Sequence, residues 1–296
     1  MKFYKVTTVT VENATHITHP GTFHADEVMA TAILSALKPV KLCRTARVPE
    51  GTEALVFDVG FGPYDHHQRG GNGSRENDVP YAAAGLIWRD FGRRLVPCDE
   101  AWDIVDRELI QGIDASDNGV FPAVAYPAQA ATISKLISGF NPNWDSEESP
   151  DAAFLEAVEF AQGVLARAIA AAESKARAKT LADEAIKASK GRVIRLPRFF
   201  PWQEYVTASA AAASALFVVY PDKLRPGEFA VQAIPEKYGS FKSRKPLPED
   251  WWGKTGDALV TACGVAGAIF CHPNGFMAKA SSEAAALALA NKAVEA

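Results

Sequence analysis

The chain is predicted to be an α/β protein, with a doubly wound, mainly parallel sheet followed by a smaller α+β lobe. Three observations predict this. Short apolar runs interleave with helical patterns over the first half, as in a parallel sheet covered by helices. A long alanine-rich helical stretch begins at Pro150. Beyond it β-like runs return before a final helix.

The elements follow in order. "ATHIT" (14–18) reads as a strand that runs into a loop. "ADEVMATAILSAL" (25–37) reads as a helix, with Val28, Ala32, Ile33 and Ala36 on one face. "VKLCRTA" (40–46) and "ALVFDVG" (54–60) are short apolar strands. "YAAAGLIWRDFGRRL" (81–95) and "EAWDIVDRELIQGI" (100–113) are the next helices. Residues 150–191 open on Ser149-Pro150-Asp151, a cap with proline in the first turn, and close on Gly191. At 1.5 Å per residue one unbroken helix here would span ~60 Å, so a kink or break is expected near the polar "ESKARAKT". "RVIRL", "ALFVVYP", "EFAVQAIP" and "GAIFCH" are the later strands, and a helix begins near Ser281. The expected organisation is an α/β lobe over 1–149, a helical connector over 150–191 and an α+β lobe over 192–296.

Composition narrows the function. With 296 residues, a net charge of −4 and 22% charged residues, the chain reads as an ordinary globular protein rather than a basic nucleic-acid coat. Its four cysteines (Cys43, Cys98, Cys263 and Cys271) form no CxxC pair, which excludes a zinc ribbon or dithiol redox motif and suits a reducing compartment. The start "MKFYKVTTVTVE" lacks a signal-peptide core, and "ASAAAASALFVV" is too short to cross a bilayer, so the expected setting is cytoplasmic, away from membranes. "GKT" at 253–255 lacks the P-loop's earlier glycine, replaced by Pro248; "GFG" at 60–62 has no third glycine. HExxH and GxSxG are absent, which argues against a zincin or a serine hydrolase.

The chemistry lies in the acids and histidines at strand ends. His19 ends the first strand, and "HPGTFHADE" adds His24, Asp26 and Glu27. Asp58 ends "ALVFDVG"; Asp65, His66 and His67 follow in "YDHHQ"; Asp114 and Asp117 stand in "GIDASDNG". Ligands of open α/β sheets bind beyond the carboxyl ends of the strands, where residues distant in sequence converge. A lone buried histidine is ordinarily a hydrogen-bonded core residue. Several imidazoles and carboxylates together are hard to bury without a metal. Two divalent ions ~3.5–4 Å apart would clamp a phosphoryl group and supply a hydroxide nucleophile, with Asp58 between them. The thiolate-free ligand set suits Mn²⁺, with Zn²⁺, Co²⁺ or Mg²⁺ as alternatives. Glu27 fits a helix cap, Asp65 fits a partner that orients a histidine, and His16 is left structural.

These residues resemble the DHH phosphoesterase superfamily, named for the triplet present here as Asp65-His66-His67. They are most similar to its Myg-type (melanocyte-proliferating-gene) branch of metal-dependent hydrolases and exonucleases. "THPGTFHADE", "VFDVG", "YDHHQ", "AAGLIW", "DASDNG", "FNPNWD", "GSFKSRKPLPEDWWG" and "GAIFCHPNGF" match its blocks in order over residues 15–295. The resemblance implies metal ligands at His19, His24, Asp26, Asp58, His66 and Asp117, with Asp114 a candidate beside Asp117. It implies that His67 faces the substrate phosphate, that the first lobe holds two Mn²⁺-like ions, and that the second recognises substrate. It also implies 3′–5′ exonuclease activity on RNA, extending to single-stranded DNA. One departure concerns "MAKASS" after "HPNGF", read as a loop without the family's glycines.

In the second lobe "KYGSFKSRKP" interleaves Lys237, Lys242, Arg244 and Lys245 with Tyr238 and Phe241, a pattern able to track a single strand and stack its bases. Lys242, Arg244 and His272 are the substrate-contact candidates there, and His67 and Asp58 the catalytic ones. "RGGNGSREN" reads as a mobile loop. The leading expectation is a two-metal phosphodiesterase acting on single-stranded RNA. The alternatives are a hydrolase of a small phosphoanhydride or dinucleotide with the same metals, and a non-catalytic RNA-binding protein. An exposed edge strand or the connector helix offers a surface for a homodimer.

Overall fold

The computed structural model describes residues 1–120 and 131–296. The chain forms two compact units, Met1–Ser174 and Lys175–Ala296.

The first unit is α/β. Its strands β1 (Val6–Thr8), β2 (His16–Thr18), β3 (Val40–Arg44) and β4 (Leu55–Val56) form a sheet of order β1-β3-β2-β4. Every pairing is parallel, with Ile17 of β2 opposite Cys43 of β3 and Val56 of β4. β2 is therefore central, and all three of its residues are buried. Because β2 and β4 are neighbours running the same way, their carboxyl ends deliver His19 and Asp58 side by side. Phe57 donates to the Ile17 carbonyl at 3.0 Å, which carries the ladder to the residue before Asp58.

Helix α1 (Ala25–Ser35) is buried along its whole length, as expected of a helix that is apolar on most faces. It packs on α2 (Ala83–Phe91), whose first turn of small residues is buried. α3 (Asp99–Val105) continues through a widened π turn, Asp106–Ile110, into α4 (Gln111–Asp117). The helix predicted over 100–113 thus extends to Asp117. α5 (Ile133–Ser138) and the first part of α6 (Pro150–Ala188) complete this unit. Of the kink or break expected near 173–180, the break does not occur: α6 is one helix over Pro150–Ala188. Ala172 and Ala176 are buried on one face and Ala178 and Ala182 on nearly the opposite one, so apolar burial continues through the polar stretch with a change of face.

The second unit is α+β, a sheet of order β5-β6-β7-β9-β8 built from β5 (Val193–Arg195), β6 (Phe217–Pro221), β7 (Phe229–Ala233), β8 (Ala268–Cys271) and β9 (Met277–Ala280). β5 pairs parallel with β6; the other pairings are antiparallel. Both faces are covered, which explains the unalternating "FVVY". Phe217 and Val219 point into a core with Leu259 of α8 (Gly256–Cys263) and Leu289 of α9 (Glu283–Glu295). Val218 and Tyr220 point into another with Ala182 and Ile186 of α6 and Val206 of α7 (Gln203–Ala208). "MAKASS", read as a loop, instead supplies β9. Its central place in the sheet, between β7 and β8, satisfies backbone groups that a loop would leave to solvent. Ser282 then caps α9 by accepting from the Ala285 N–H at 3.2 Å.

Among the described residues no helix is long and apolar enough to cross a membrane.

Candidate metal centre

Five chain segments converge at the carboxyl edge of the parallel sheet. The ligand atoms of Asp58, Asp65, His66 and His67 lie within 4.8 Å of one another, as do those of His19, His24 and Glu27, of His24, Asp26 and Asp117, and of Asp26, Glu27 and Asp58. Asp58, Asp26, Glu27 and His24 recur between groups, so these form one continuous cluster rather than separate pockets.

Asp58 is its pivot. The residue is buried and adopts a left-handed backbone (φ 55°), a conformation that aspartate tolerates better than most residues. This turn ends β4 and aims the carboxylate back over the strand ends. Its oxygens lie 3.4 Å from His19 Nε2 and 3.4 Å from His66 Nδ1. Neither oxygen is hydrogen-bonded, nor are Asp26 Oδ1 and His66 Nδ1, although all four atoms are buried. Buried polar atoms are otherwise nearly always paired. These four atoms, of which Asp58 Oδ1 and His66 Nδ1 face each other at 3.4 Å, fit a divalent cation with oxygen and imidazole ligands.

The two adjacent histidines divide their work. His66 is 8% exposed, and its Nε2 lies 2.8 Å from Asp117 Oδ2. His67 stands at the mouth, 52% exposed, with Nδ1 2.7 Å from Asp65 Oδ1. Asp65 also accepts from the backbone N–H groups of His67 (3.1 Å) and Phe61 (2.7 Å). Burial raises the Asp65 pKa, yet these bonds overcome it and hold the carboxyl below its usual range. Asp65 is thus an ionised brace for His67. Glu27 plays two parts: it caps α1 by accepting from the His24 N–H at 2.9 and 3.0 Å, and it meets His19 Nε2 at 2.9 Å.

Electrostatics agree with a site awaiting positive charge. Burial, then the charges of Asp58, Glu27 and Asp117, push Asp26 well above the carboxylate range. Burial likewise raises Asp58, against the opposing pull of His19. Burial disfavours a charged His19, but Asp58 and Glu27 outweigh it and take that ring to about 10. His66 is raised by Asp117 and Asp58 despite its own desolvation. A proton on His19 thus occupies the role a metal would take.

Asp114 sits elsewhere. It is buried against Arg75 (2.9 Å) and accepts from the Gly85 N–H at 2.9 Å. Arg75 also pairs with Asp106 at 2.7 Å and lies 4.3 Å above the Tyr81 ring. "RGGNGSREN", read as mobile, is therefore anchored through Arg75. No sequence signal marked that arginine, because a basic residue in a glycine-rich run ordinarily reads as solvated. Glycine at 85 is required, since a Cβ there would lie 1.8 Å from Asp114 Oδ2.

In the second unit Lys242 pairs with Glu236 at 2.7 Å and is 77% exposed. Arg244 donates from Nη1 to the carbonyls of Ala212 (2.6 Å) and Ala215 (3.0 Å). His272 accepts the Asn274 N–H on Nδ1 at 3.1 Å and lies against Phe270 and Phe276.

Comparison with known proteins agrees with the residue blocks. A family model named MYG1_exonuc, described as "Uncharacterised protein family (UPF0160)", matches residues 15–294. The chain is 32% identical to "MYG1 protein YER156C" of Saccharomyces cerevisiae, over 92% of this chain and 93% of the relative. It is 31% identical to "MYG1 exonuclease" of Rattus norvegicus, over 88% of this chain and 79% of the relative. It is 30% identical to "MYG1 exonuclease" of Homo sapiens, over 92% and 84%. No solved structure matches. The family match spans nearly the whole chain and the blocks that bear the ligand cluster, and the chain belongs to the MYG1 family, UPF0160.

Proposed function

We propose that this protein is a divalent-metal-dependent phosphodiesterase of the DHH phosphoesterase type, acting as a 3′–5′ exonuclease on RNA or other single-stranded nucleic acid. One observation carries the reading: the orphaned, buried Asp26, Asp58 and His66 atoms within a cluster of three further carboxyl or imidazole ligands. Relatives that bear the name MYG1 exonuclease support the exonuclease part of the reading.

His19, His24, Asp26, Asp58, His66 and Asp117 would hold two ions, with Mn²⁺ suited to the N/O donor set and Zn²⁺, Co²⁺ or Mg²⁺ as substitutes. Bound there, such ions supply positive charge against phosphoryl oxygens and acidify a water. The chain's own residues do the rest. Asp58 sets the spacing between the two halves of the cluster. His67, held at Nδ1 by Asp65 and open to solvent, contacts the phosphate. Within the second unit Arg244 fixes the loop that bears Lys242 through its bonds to the Ala212 and Ala215 carbonyls. Asp114 acts as the counter-charge to Arg75 rather than as a ligand.

A second reading has the same site hydrolysing a small phosphoanhydride or dinucleotide, and the net charge of −4 favours it, because long polyanions are better held by basic surfaces. A time course on 5′-labelled single-stranded RNA with Mn²⁺, beside pyrophosphate and dinucleotides, separates the two. A ladder that shortens from the 3′ end and vanishes in Asp58→Ala supports the exonuclease. Turnover of the small substrates alone selects the second reading. No turnover of either refutes both.

A further inference from the structure

The loop between His19 and His24 contains no helix or strand, yet it must hold two imidazoles in register. Its backbone is gripped by side chains from far along the chain. Asn141, in the "FNPNWD" segment after α5, accepts the Phe23 N–H on Oδ1 at 2.9 Å and donates Nδ2–H to the Phe23 carbonyl at 2.8 Å. One amide therefore satisfies both polar groups of a single residue, as a neighbouring strand would. Arg44, at the end of β3, donates to the Gly21 carbonyl at 2.6 Å and lies 4.6 Å above the Phe154 ring. The Phe23 side chain is fully buried, edge-on to Phe154 with centroids 5.4 Å apart.

Phe23 is thus fixed on both sides, by the core through its ring and by Asn141 through its backbone. His24 follows directly. Its own N–H is held by Glu27, while its ring is 56% exposed, with Nδ1 4.0 Å from Asp117 Oδ1. The ring stands beside that of His19, with centroids 5.8 Å apart, at the capped start of α1, and where it stands follows from the backbone of residues 23 and 24.

The geometry points to Asn141 as a positioning residue of the metal centre: by clamping the Phe23 backbone it orients the His24 imidazole toward the ion held with Asp26 and Asp117. The inference rests on the metal-centre reading above. Groups that orient metal ligands without touching the metal typically change affinity 10- to 100-fold when removed.

The test is Mn²⁺ binding to the full chain by calorimetry, with spin-resonance counting of bound ions, for wild type, His24→Ala, Asn141→Ala and the double variant. Asn141→Ala should weaken one ion roughly 10- to 100-fold. In the His24→Ala background the same change should have no further effect. Asn141→Asp keeps the acceptor for the Phe23 N–H but sets an oxygen against the Phe23 carbonyl, and should show the same selective loss. Wild-type affinity in Asn141→Ala overturns the inference. So does an equal loss with and without His24, or unfolding of both Asn141 variants, because each makes Asn141 a general stability residue. Equal Mn²⁺ binding by wild type and His24→Ala instead refutes the metal assignment of His24 itself.

Discussion

Metal binding at this cluster should release protons, and the count follows from the structure. Asp58 and Glu27 raise His19 to about 10, so near neutral pH its ring carries a proton on the side an ion would occupy. His66 is raised by Asp117 and Asp58, and Asp26 by burial and its neighbouring carboxylates. Each proton displaced makes affinity rise tenfold per pH unit, about 1.4 kcal/mol. With His19 alone giving up a proton, Mn²⁺ affinity should rise about 100-fold between pH ~6.5 and ~8.5, and more steeply if His66 or Asp26 contributes. The metal-free protein behaves oppositely. A raised His19 stabilises it fully below 6.5, and that contribution is lost as pH climbs through about 10. Calorimetry in buffers of different ionisation enthalpy counts the protons, and His19→Gln should lower the count by one. Affinity that is flat with pH, with heats independent of buffer, would refute the argument that protons occupy the metal's place.

Other expectations follow from single contacts. Asp58→Asn removes one charge from a cluster of buried carboxylates, so the metal-free protein should gain roughly 0.5–2 kcal/mol in a denaturant titration while Mn²⁺ binding and activity collapse. A less stable variant that still binds metal would contradict the orphaned-atom reasoning. Gly85→Ala drives a Cβ into Asp114 and loosens its pair with Arg75; melting should report a loss of about 3–5 kcal/mol, and a loss below 1 would show that the α2–α4 contact yields readily. His16 is fully buried on β2, and burial, then Lys38, lowers its ring to about 4. Its contribution is intact above 6.5 and shrinks as pH falls toward about 4, by about 3 kcal/mol in total. His16→Leu should flatten that part of the stability profile, and an unchanged profile would assign the acid sensitivity to other groups.

Much of the fold was legible because its signals are local. "ALFVVYP" and "EFAVQAIP" carry enough apolar, β-branched and aromatic residues to mark strands, and "ADEVMATAILSAL" enough alanine and leucine to mark a buried helix. β1, α5, α7 and α8 escaped notice because they are short and their composition is mixed. "MAKA" looked like loop because its strand character comes from pairing with Gln232, Val231, Ala230 and Phe229 on one side and with β8 on the other, not from its own side chains.

The sequence by itself determined the donor set and its chemistry. Imidazole and carboxylate, with no thiolate, are donors suited to a hard to borderline cation whatever the detailed packing. Only the tertiary structure decided where each donor points. Asp114 and Asp117 lie three residues apart on one helix, about 60° in rotation and ~4.5 Å along its axis. That offset turns one toward Arg75 and Gly85 and the other toward His66 and His24. In the same way, "DHH" states two histidines and an acid, but the backbone turn at Asp58 and Phe61 makes His66 an inner group and His67 an outer one braced by Asp65. Residue type sets which atoms can donate electrons to a metal; only the path of the chain, fixed by contacts between residues tens of positions apart, sets the directions from which they do so.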